Sequence, residues 1–517
     1  MTNELMRTQQ ELESSLWEMA NALRGNMEAY EFKNYILGMI FYYFLSQKEE
    51  EYMVNLLKDD GISFQEAWED EEYQEAVIEE TLRDLGYLIE PKYLFSEMVK
   101  HVENGNFDVE YLQSAINSIM ESTMGTESEE DFEGLFDDMQ LDSTKLGRTV
   151  KDRSIVMSKI IASLDGSVLH QGKTNMDILG NAYEYLIGQF AATAGKKAGE
   201  FYTPAGPAEI LARIACDGLT DIQDACDPTC GSGSLLLRLQ KYANVRNFWG
   251  QELTSQTYNL CRMNMILRGV KYDRFTIYND DTLAVDNFEG KKFRVQVANP
   301  PYSAKVQRPE LMADDPRFNF YGKLVPKSKA DFAFVQHMVH HMDDDGRIAV
   351  LLPHGVLFRG AGEAVIREYL IQKLNVIDAI IGLPANLFYG TGIPVTIIVC
   401  RKDRNGNKDN ILFIDASKEF VKAKQQNMLE QEHIDRIVET YKARKDVERY
   451  AHVATMEEIA ENDFNLNIPR YVDTSEPEPE IILSDVASSI KDTDSEIEAV
   501  SRQLKESFKQ LGLEFPF

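Results

Sequence analysis

Cysteine is scarce. The chain has five in 517 residues, Cys216, Cys226, Cys230, Cys261 and Cys400. An odd, scattered set gives no disulfide framework and points to a reducing compartment. Cys226 and Cys230 are separated by three residues and form no CxxC pair. There are only eight histidines, and none stands at the spacing of a Cys/His zinc site, so no metal is expected. No apolar run approaches the ~18 residues of a membrane span. Met1 to Arg7 lacks the basic stretch and apolar run of a signal peptide. The expectation is a cytoplasmic protein with no membrane association. Positive charge is also short: 54 Lys and Arg against 85 Asp and Glu, a net of −31. That balance excludes a chain that grips nucleic-acid phosphates unaided.

What is present divides unevenly. Residues 1–150 hold 34 acidic and 10 basic residues, a net of −24, which leaves −7 for the rest. The length predicts roughly two to four domains. Leu5, Leu12, Leu16, Met19 and Leu23 form a helical stripe, and residues 31–46 read as a second, more buried helix. Residues 59–83 are densely acidic at helical spacing, the pattern of a solvated face or of a surface for a basic partner. Residues 1–150 are thus an acidic helical domain without chemistry of its own. From 151 to 474 strands and helices alternate. Seven β runs are expected, near 225–228, 248–252, 275–278, 295–298, 347–352, 376–381 and 395–400. They predict a doubly wound, Rossmann-like α/β sheet. Residues 475–517 form a tail. Ser475–Glu480 is a stiff Glu-Pro linker, and Ile490, Ile497, Leu504 and Leu511, with Val500 between them, fall on a coiled-coil-like helix.

Two stretches carry chemistry. The first is Asp227-Pro228-Thr229-Cys230-Gly231-Ser232-Gly233-Ser234, between a strand and a helix. Its glycines let the backbone approach a ligand, and the helix start offers free N–H groups. Glu252 ends the next strand 25 residues on, where Rossmann-like folds place the acid that binds ribose hydroxyls. Asp281 follows the third strand. A nicotinamide enzyme needs a third glycine in the helix, and Ser234-Leu235-Leu236-Leu237 lacks it. Asp227 disfavours a pyrophosphate and suits a cofactor with a cationic end. S-adenosylmethionine has both an ammonium and a sulfonium.

The second stretch is Asn299-Pro300-Pro301-Tyr302, after the apolar run Val295–Ala298. Two prolines end a strand, since neither donates to the ladder. The turn then holds an amide, a free carbonyl and a ring at the carboxyl end of the sheet. An exocyclic amine on an aromatic base is a poor nucleophile because its lone pair is delocalised. The Asn299 side-chain oxygen and the Pro300 carbonyl can each take one of its N–H groups and favour a pyramidal nitrogen aimed at a methyl-sulfonium. Tyr302 offers a ring for stacking. A base within a duplex must be flipped out to reach such a site.

With these residues on the page, the chain resembles the adenine-N6 amino-methyltransferases. Gly199–Pro204, Asn299–Ser303, Pro326-Lys327-Ser328-Lys329-Ala330-Asp331-Phe332-Ala333-Phe334 and Asn386–Pro394 narrow the likeness to the modification (M) subunit of type I restriction–modification systems. The resemblance covers essentially the whole chain. It implies an α/β methyltransferase sheet with an N-terminal all-α domain and a C-terminal helical tail. It implies that Glu200, Phe201, Tyr202, Thr203, Pro204 and Ala205 close over the methionine end of S-adenosylmethionine. Asp227, Gly231, Ser232, Gly233, Ser234, Glu252 and Asp281 hold the rest. Asn299, Pro300, Pro301 and Tyr302 carry catalysis, with Phe388 as a second ring against the flipped adenine. Cys230 reads as a small packing residue. The resemblance further implies a specificity (S) subunit with two M per S, a restriction and translocation (R) subunit, and double-stranded DNA as partners.

Residues 303–470 are taken up by three strands and their helices, so no target-reading domain is left within the chain. The relatively basic loop holding Lys305, Arg308, Arg317, Lys323, Lys327 and Lys329 is expected beside the DNA. Two alternatives stand. One is a methyltransferase for other amines, such as protein glutamine or RNA guanine. The other is a non-catalytic assembly subunit.

Overall fold

The computed structural model describes residues 12–21, 27–165, 176–194, 203–388, 391–423, 426–475 and 482–516. The chain divides into two units, Met1–Asp473 and Thr474–Phe517. In the first, a set of helices precedes an α/β sheet. Helix α1 (Ala29–Leu56) runs ten residues past the expected end at 46. It buries most of its surface, with Phe32, Ile36, Ile40, Phe41 and Leu45 fully inaccessible. Its hydrophobic residues do not keep to one stripe, as befits a helix surrounded on all sides. Helix α2 (Val150–Asp165) crosses the domain boundary expected at 150. Its buried Met157, Ile160, Ile161 and Leu164 pack towards the helices 95–103 and 109–123, so it belongs with the N-terminal set.

The sheet has nine strands. They are β1 (Asp221–Asp227), β2 (Asn244–Gln251), β3 (Phe275–Tyr278), β4 (Phe293–Ala298), β5 (Met342–Pro353), β6 (Ile377–Gly382), β7 (Val395–Arg401), β8 (Asn410–Asp415) and β11 (Ala451–Thr455). A separate two-stranded ribbon joins β9 (Val421–Lys422) to β10 (Asn427–Met428). The order across the sheet is β11-β8-β6-β7-β5-β4-β1-β2-β3. β7 runs antiparallel between β5 and β6. All seven expected strands are present. β8 and β11 were not expected. Ile411–Ile414 is a four-residue apolar run, too short for periodicity to separate strand from helix, and β11 is an edge strand with a half-exposed pattern.

The central strands are buried on both faces, which suits a mostly parallel sheet covered by helices. Ala349 and Leu351 join one hydrophobic core, while Ile348, Val350 and Leu352 join the other, the two-residue alternation of a strand. The first core continues without a break into the N-terminal helices. Helix α3 (Met176–Ala194) packs on α1, and its Glu184 pairs with Arg238 at 3.0 Å and Arg268 at 2.7 Å. Helices α4 (Ala205–Ala215), α5 (Ser234–Arg238) and α6 (Ser255–Leu267) lie on the same side. On the other side lie α7 (Asp331–His340) and α8 (Gly362–Glu368), while α9 (Gln431–Ala443) packs on α4.

Helix α6 joins the two regions through Arg262, which is 3% exposed. Its guanidinium donates to the carbonyls of Glu130 at 2.8 Å and Glu133 at 2.8 Å and lies over the Tyr258 ring at 4.2 Å. Beside it the Asn259 amide donates to Asp138 at 2.9 Å. Removing a buried cation strands the carbonyls it served. Arg262→Ala is therefore expected to lower stability by about 2–4 kcal/mol in urea unfolding; a change under ~0.5 kcal/mol would show that the contact is idle.

In the second unit, helix α10 (Leu483–Gln510) has no buried residue. Leu483, Val486, Ile490, Ile497, Val500, Leu504 and Leu511 are all exposed on it and just beyond it. The Glu-Pro linker at 476–480 lies outside the described residues.

Candidate active site

Strand order reverses where β1 meets β4, since β2 and β3 continue one way and β5 the other. Loops at the carboxyl ends of β1 and β4 diverge there and leave a crevice, the usual ligand position in open α/β sheets. Both chemically suggestive stretches start at that point. A cavity of about 190 Å³ is lined by Thr229, Gly231 and Ser232 from the loop after β1, Glu252 after β2, Asp281 after β3, and Asn299 and Pro301 after β4. A smaller adjoining cavity is lined by Asp227, Thr203, Ser234 and again Asn299.

The loop after β1 is held tightly. Asp227 is buried, and its Oδ1 accepts the Thr229 N–H at 2.9 Å. Burial pushes the Asp227 carboxyl up to about 7, with the nearby Glu252 charge adding to the effect. Gly233 has φ +75° and caps α5. A Cβ there would lie 2.8 Å from Cys261 Sγ, so both conformation and space require glycine. Asn264 of α6 donates to the Ser232 carbonyl at 2.9 Å. The Ser232 and Ser234 hydroxyls are 3.0 Å apart. Glu252 accepts the Gly231 N–H at 3.1 Å and the Thr254 N–H at 2.9 Å. Asp281 accepts the Leu283 N–H at 3.0 Å. Cys230 is buried, its Sγ within 3.0 Å of where a Gly250 Cβ would stand.

The larger cavity is lined by carboxylates, hydroxyls and apolar groups, and no Lys, Arg or His is among its described lining residues. A ligand carrying positive charge fits the Glu252 and Asp281 carboxylates, and no basic side chain among the described lining residues is there to pair with a pyrophosphate. Leu253, 61% exposed beside Glu252, supplies an apolar surface at the mouth for a flat ring. Leu253 and Thr282 carry no sequence signal apart from adjacency to Glu252 and Asp281, and Phe334 stood in the Pro326–Phe334 segment without an assigned role.

On the β4 side Asn299 is 8% exposed. Its Nδ2 donates to Thr203 Oγ1 at 3.0 Å, which turns its Oδ1 the other way, where it accepts the Tyr302 hydroxyl at 2.8 Å. The turn thus bonds to itself across the acceptor needed for an amine. Burial raises the Tyr302 phenol well above its usual range, so it stays a neutral donor. Phe388 is buried and meets the Tyr302 ring edge-on at 5.9 Å. Of the expected closing segment, Thr203, Pro204 and Ala205 are described, and Pro204 caps α4. Glu200, Phe201 and Tyr202 lie outside the described residues.

The basic loop departs from expectation at one residue. Lys305, Arg308, Lys323 and Lys327 are exposed and Lys329 partly so, but Arg317 is 1% exposed. It pairs with Asp315 at 2.6 Å and donates to the Thr282 carbonyl at 2.7 Å, so it braces the loop after β3 and cannot meet DNA. The structure also brings together Asp286, His337 and His341, a grouping that sequence spacing did not suggest. Arg317 lies 3.0 Å from His337 Nδ1 and 3.9 Å from Asp286. A guanidinium only donates, so the other His337 nitrogen keeps its proton. The group is a buried cluster of Arg317, His337, His341 and Asp286.

Residues 174–480 match the N-6 DNA Methylase family, and residues 12–164 match the HsdM N-terminal domain. The type I restriction enzyme MpnII methylase subunit of Mycoplasma pneumoniae is 34% identical, over 99% of this chain and 98% of that one. The MjaIX methylase subunit of Methanocaldococcus jannaschii is 28% identical, over 97% and 92%. The crystal structure of a type I restriction–modification methyltransferase subunit from Streptococcus thermophilus superposes with a TM-score of 0.83 at 43% identity, covering 90% of this chain and all of that one. The Asn299–Tyr302 turn after β4 lies beside the acid-lined cavity. The chain belongs to the N-6 DNA methylase family, among the methylase subunits of type I restriction–modification systems, and is an adenine-N6-specific DNA methyltransferase.

Proposed function

We propose that S-adenosylmethionine lies in the crevice between the loops after β1 and β4 and that an adenine, flipped out of duplex DNA, meets it at Asn299. The observation that carries this reading is the placement of Asn299 on the wall shared by the acid-lined cavities. The bound cofactor supplies an electrophilic methyl group on a sulfonium. Asp227 faces its cationic end, Glu252 takes the ribose hydroxyls, and Asp281 and Leu253 border its base. Thr203 holds the Asn299 amide in one orientation. When the target base arrives, Tyr302 gives up its bond to Asn299 Oδ1, and that oxygen and the Pro300 carbonyl each accept an N–H of the amine. Once the base is bound, the two carbonyl dipoles face the nitrogen on which positive charge develops and stabilise it. No strong base is required, because an alkylated amine loses its proton readily.

Target choice is assigned to a separate specificity subunit, with two methylase subunits per specificity subunit, and cleavage to a restriction subunit. Two features support a partner. The net charge of −31 leaves the chain unable to hold phosphates by itself, and the exposed heptad face of α10 is of the kind that pairs with another helix. Lys305, Arg308, Lys323, Lys327 and Lys329 follow the catalytic turn and are placed here on the DNA side.

Tritiated methyl transfer is expected only with the specificity subunit present, with label recovered as N6-methyladenine; label at cytosine or in protein would sink the assignment. Asn299→Ala is expected to slow transfer by about a hundred- to a thousandfold while calorimetric affinity for S-adenosylmethionine persists. That affinity has its own pH signature. Only ionised Asp227 attracts the cofactor's cation, and its carboxyl titrates at about 7. Affinity therefore rises by roughly tenfold per pH unit up to about pH 7 and then levels; Asp227→Asn should flatten the profile. Deleting Thr474–Phe517 is expected to abolish co-purification with the specificity subunit and leave cofactor affinity unchanged. Retained co-purification would remove α10 from the interface.

A further inference from the structure

We propose that Asp331 is a positioning residue for methyl transfer: its buried carboxylate holds the Ser303 amide and thereby sets the backbone of the Asn299–Tyr302 turn. The inference rests on the reading of that turn given above. Ser303 directly follows Tyr302 and has φ +52°, the left-handed region that a serine occupies only at a cost. Its N–H donates to Asp331 Oδ1 at 2.7 Å, and its hydroxyl accepts from Lys329 Nζ at 3.1 Å. Two backbone bonds run alongside, Val306 N–H to the Lys327 carbonyl and Ala330 N–H to the Ala304 carbonyl, each at 2.9 Å. The chain leaving the turn is thus laid against Lys327–Asp331, the segment that starts α7.

Asp331 is 0% exposed, and its second oxygen pairs with Arg359. Arg359 is also bound by Glu363, at 2.8 and 2.7 Å, and Glu363 is itself 1% exposed. One guanidinium therefore serves two buried carboxylates. Lys329, whose Nζ bonds the Ser303 hydroxyl, stands as a second cation near the two carboxylates, and a buried carboxylate is unfavourable unless it is both paired and hydrogen-bonded. What Asp331 adds is the bond to the strained amide beside the catalytic turn. A charged acceptor makes a shorter, stronger bond than a neutral one, which suits a backbone that must hold an unfavourable φ. The consequence follows from Tyr302. In this reading its side chain shifts from Asn299 Oδ1 to admit the base while the backbone stays. Asp331 anchors the residue at which that motion has to stop.

The test uses the full chain assembled with its specificity subunit, comparing single-turnover methyl transfer with calorimetric affinity for S-adenosylmethionine and with thermal melting. Asp331→Ala is expected to slow transfer about a hundredfold while cofactor affinity stays within about threefold. Asp331→Asn keeps a carbonyl oxygen for the Ser303 N–H and is expected to stay within about tenfold of the parent rate. Parental transfer by Asp331→Ala would overturn the proposal. So would a folded Asp331→Asn as slow as Asp331→Ala, or a rate that falls only together with cofactor affinity. If Asp331→Ala does not fold, the Asp331→Asn rate decides alone: within tenfold supports the role, slower with intact affinity overturns it. A parent assembly that transfers no methyl group, or an active Asn299→Ala, removes the underlying reading of the turn instead.

Discussion

The reversal of strand order between β1 and β4 is the constraint on which the site depends. Where two neighbouring strands send their chains to opposite sides of a sheet, their carboxyl ends cannot both be covered, and a crevice opens. Here one wall of the crevice is the Asp227–Ser234 loop and the other is Asn299–Tyr302. Each wall is then braced from behind. Gly233 admits the close approach of Cys261 on α6, and Asn264 of the same helix holds the Ser232 carbonyl. Thr203 orients Asn299, and Asp331 holds Ser303.

Electrostatics divides the molecule along similar lines. The cavity is lined by acids and no described basic side chain, which suits a cationic cofactor and repels phosphate. The arginines near it are turned inward. Arg262 and Arg317 are each at most 3% exposed and donate to backbone carbonyls and, for Arg317, to Asp315. Exposed lysines gather instead on the loop after the catalytic turn. A chain with this distribution can hold a base and a methyl donor while leaving most phosphate contacts to a partner.

The local bond between Tyr302 and Asn299 gives the turn a resting form. An unbonded buried amide oxygen is unfavourable, and the turn satisfies it internally. The edge-on Phe388 ring restricts where the Tyr302 ring can lie.

Much of this was legible in the primary structure. Pro300 and Pro301 had to end a strand, since neither has an N–H to donate, and Asp227, Glu252 and Asp281 fell at three successive strand ends. Seven β runs were readable because their apolar stretches are bounded by turns. β8 and β11 were not, since a four-residue apolar run and a half-exposed edge carry no decisive period. Arg317 looked like a surface cation by its neighbours in the chain and proved buried, because its partners, Thr282 and His337, come from distant segments. Asp331 stood in a recognisable motif, but its bond spans 28 residues and is created by the packing of α7. The sequence by itself determined which chemistry the chain can perform, because residue types at strand ends follow from local patterns. The tertiary structure decided which groups face one another and which charges are buried, because those depend on contacts between segments far apart in the chain.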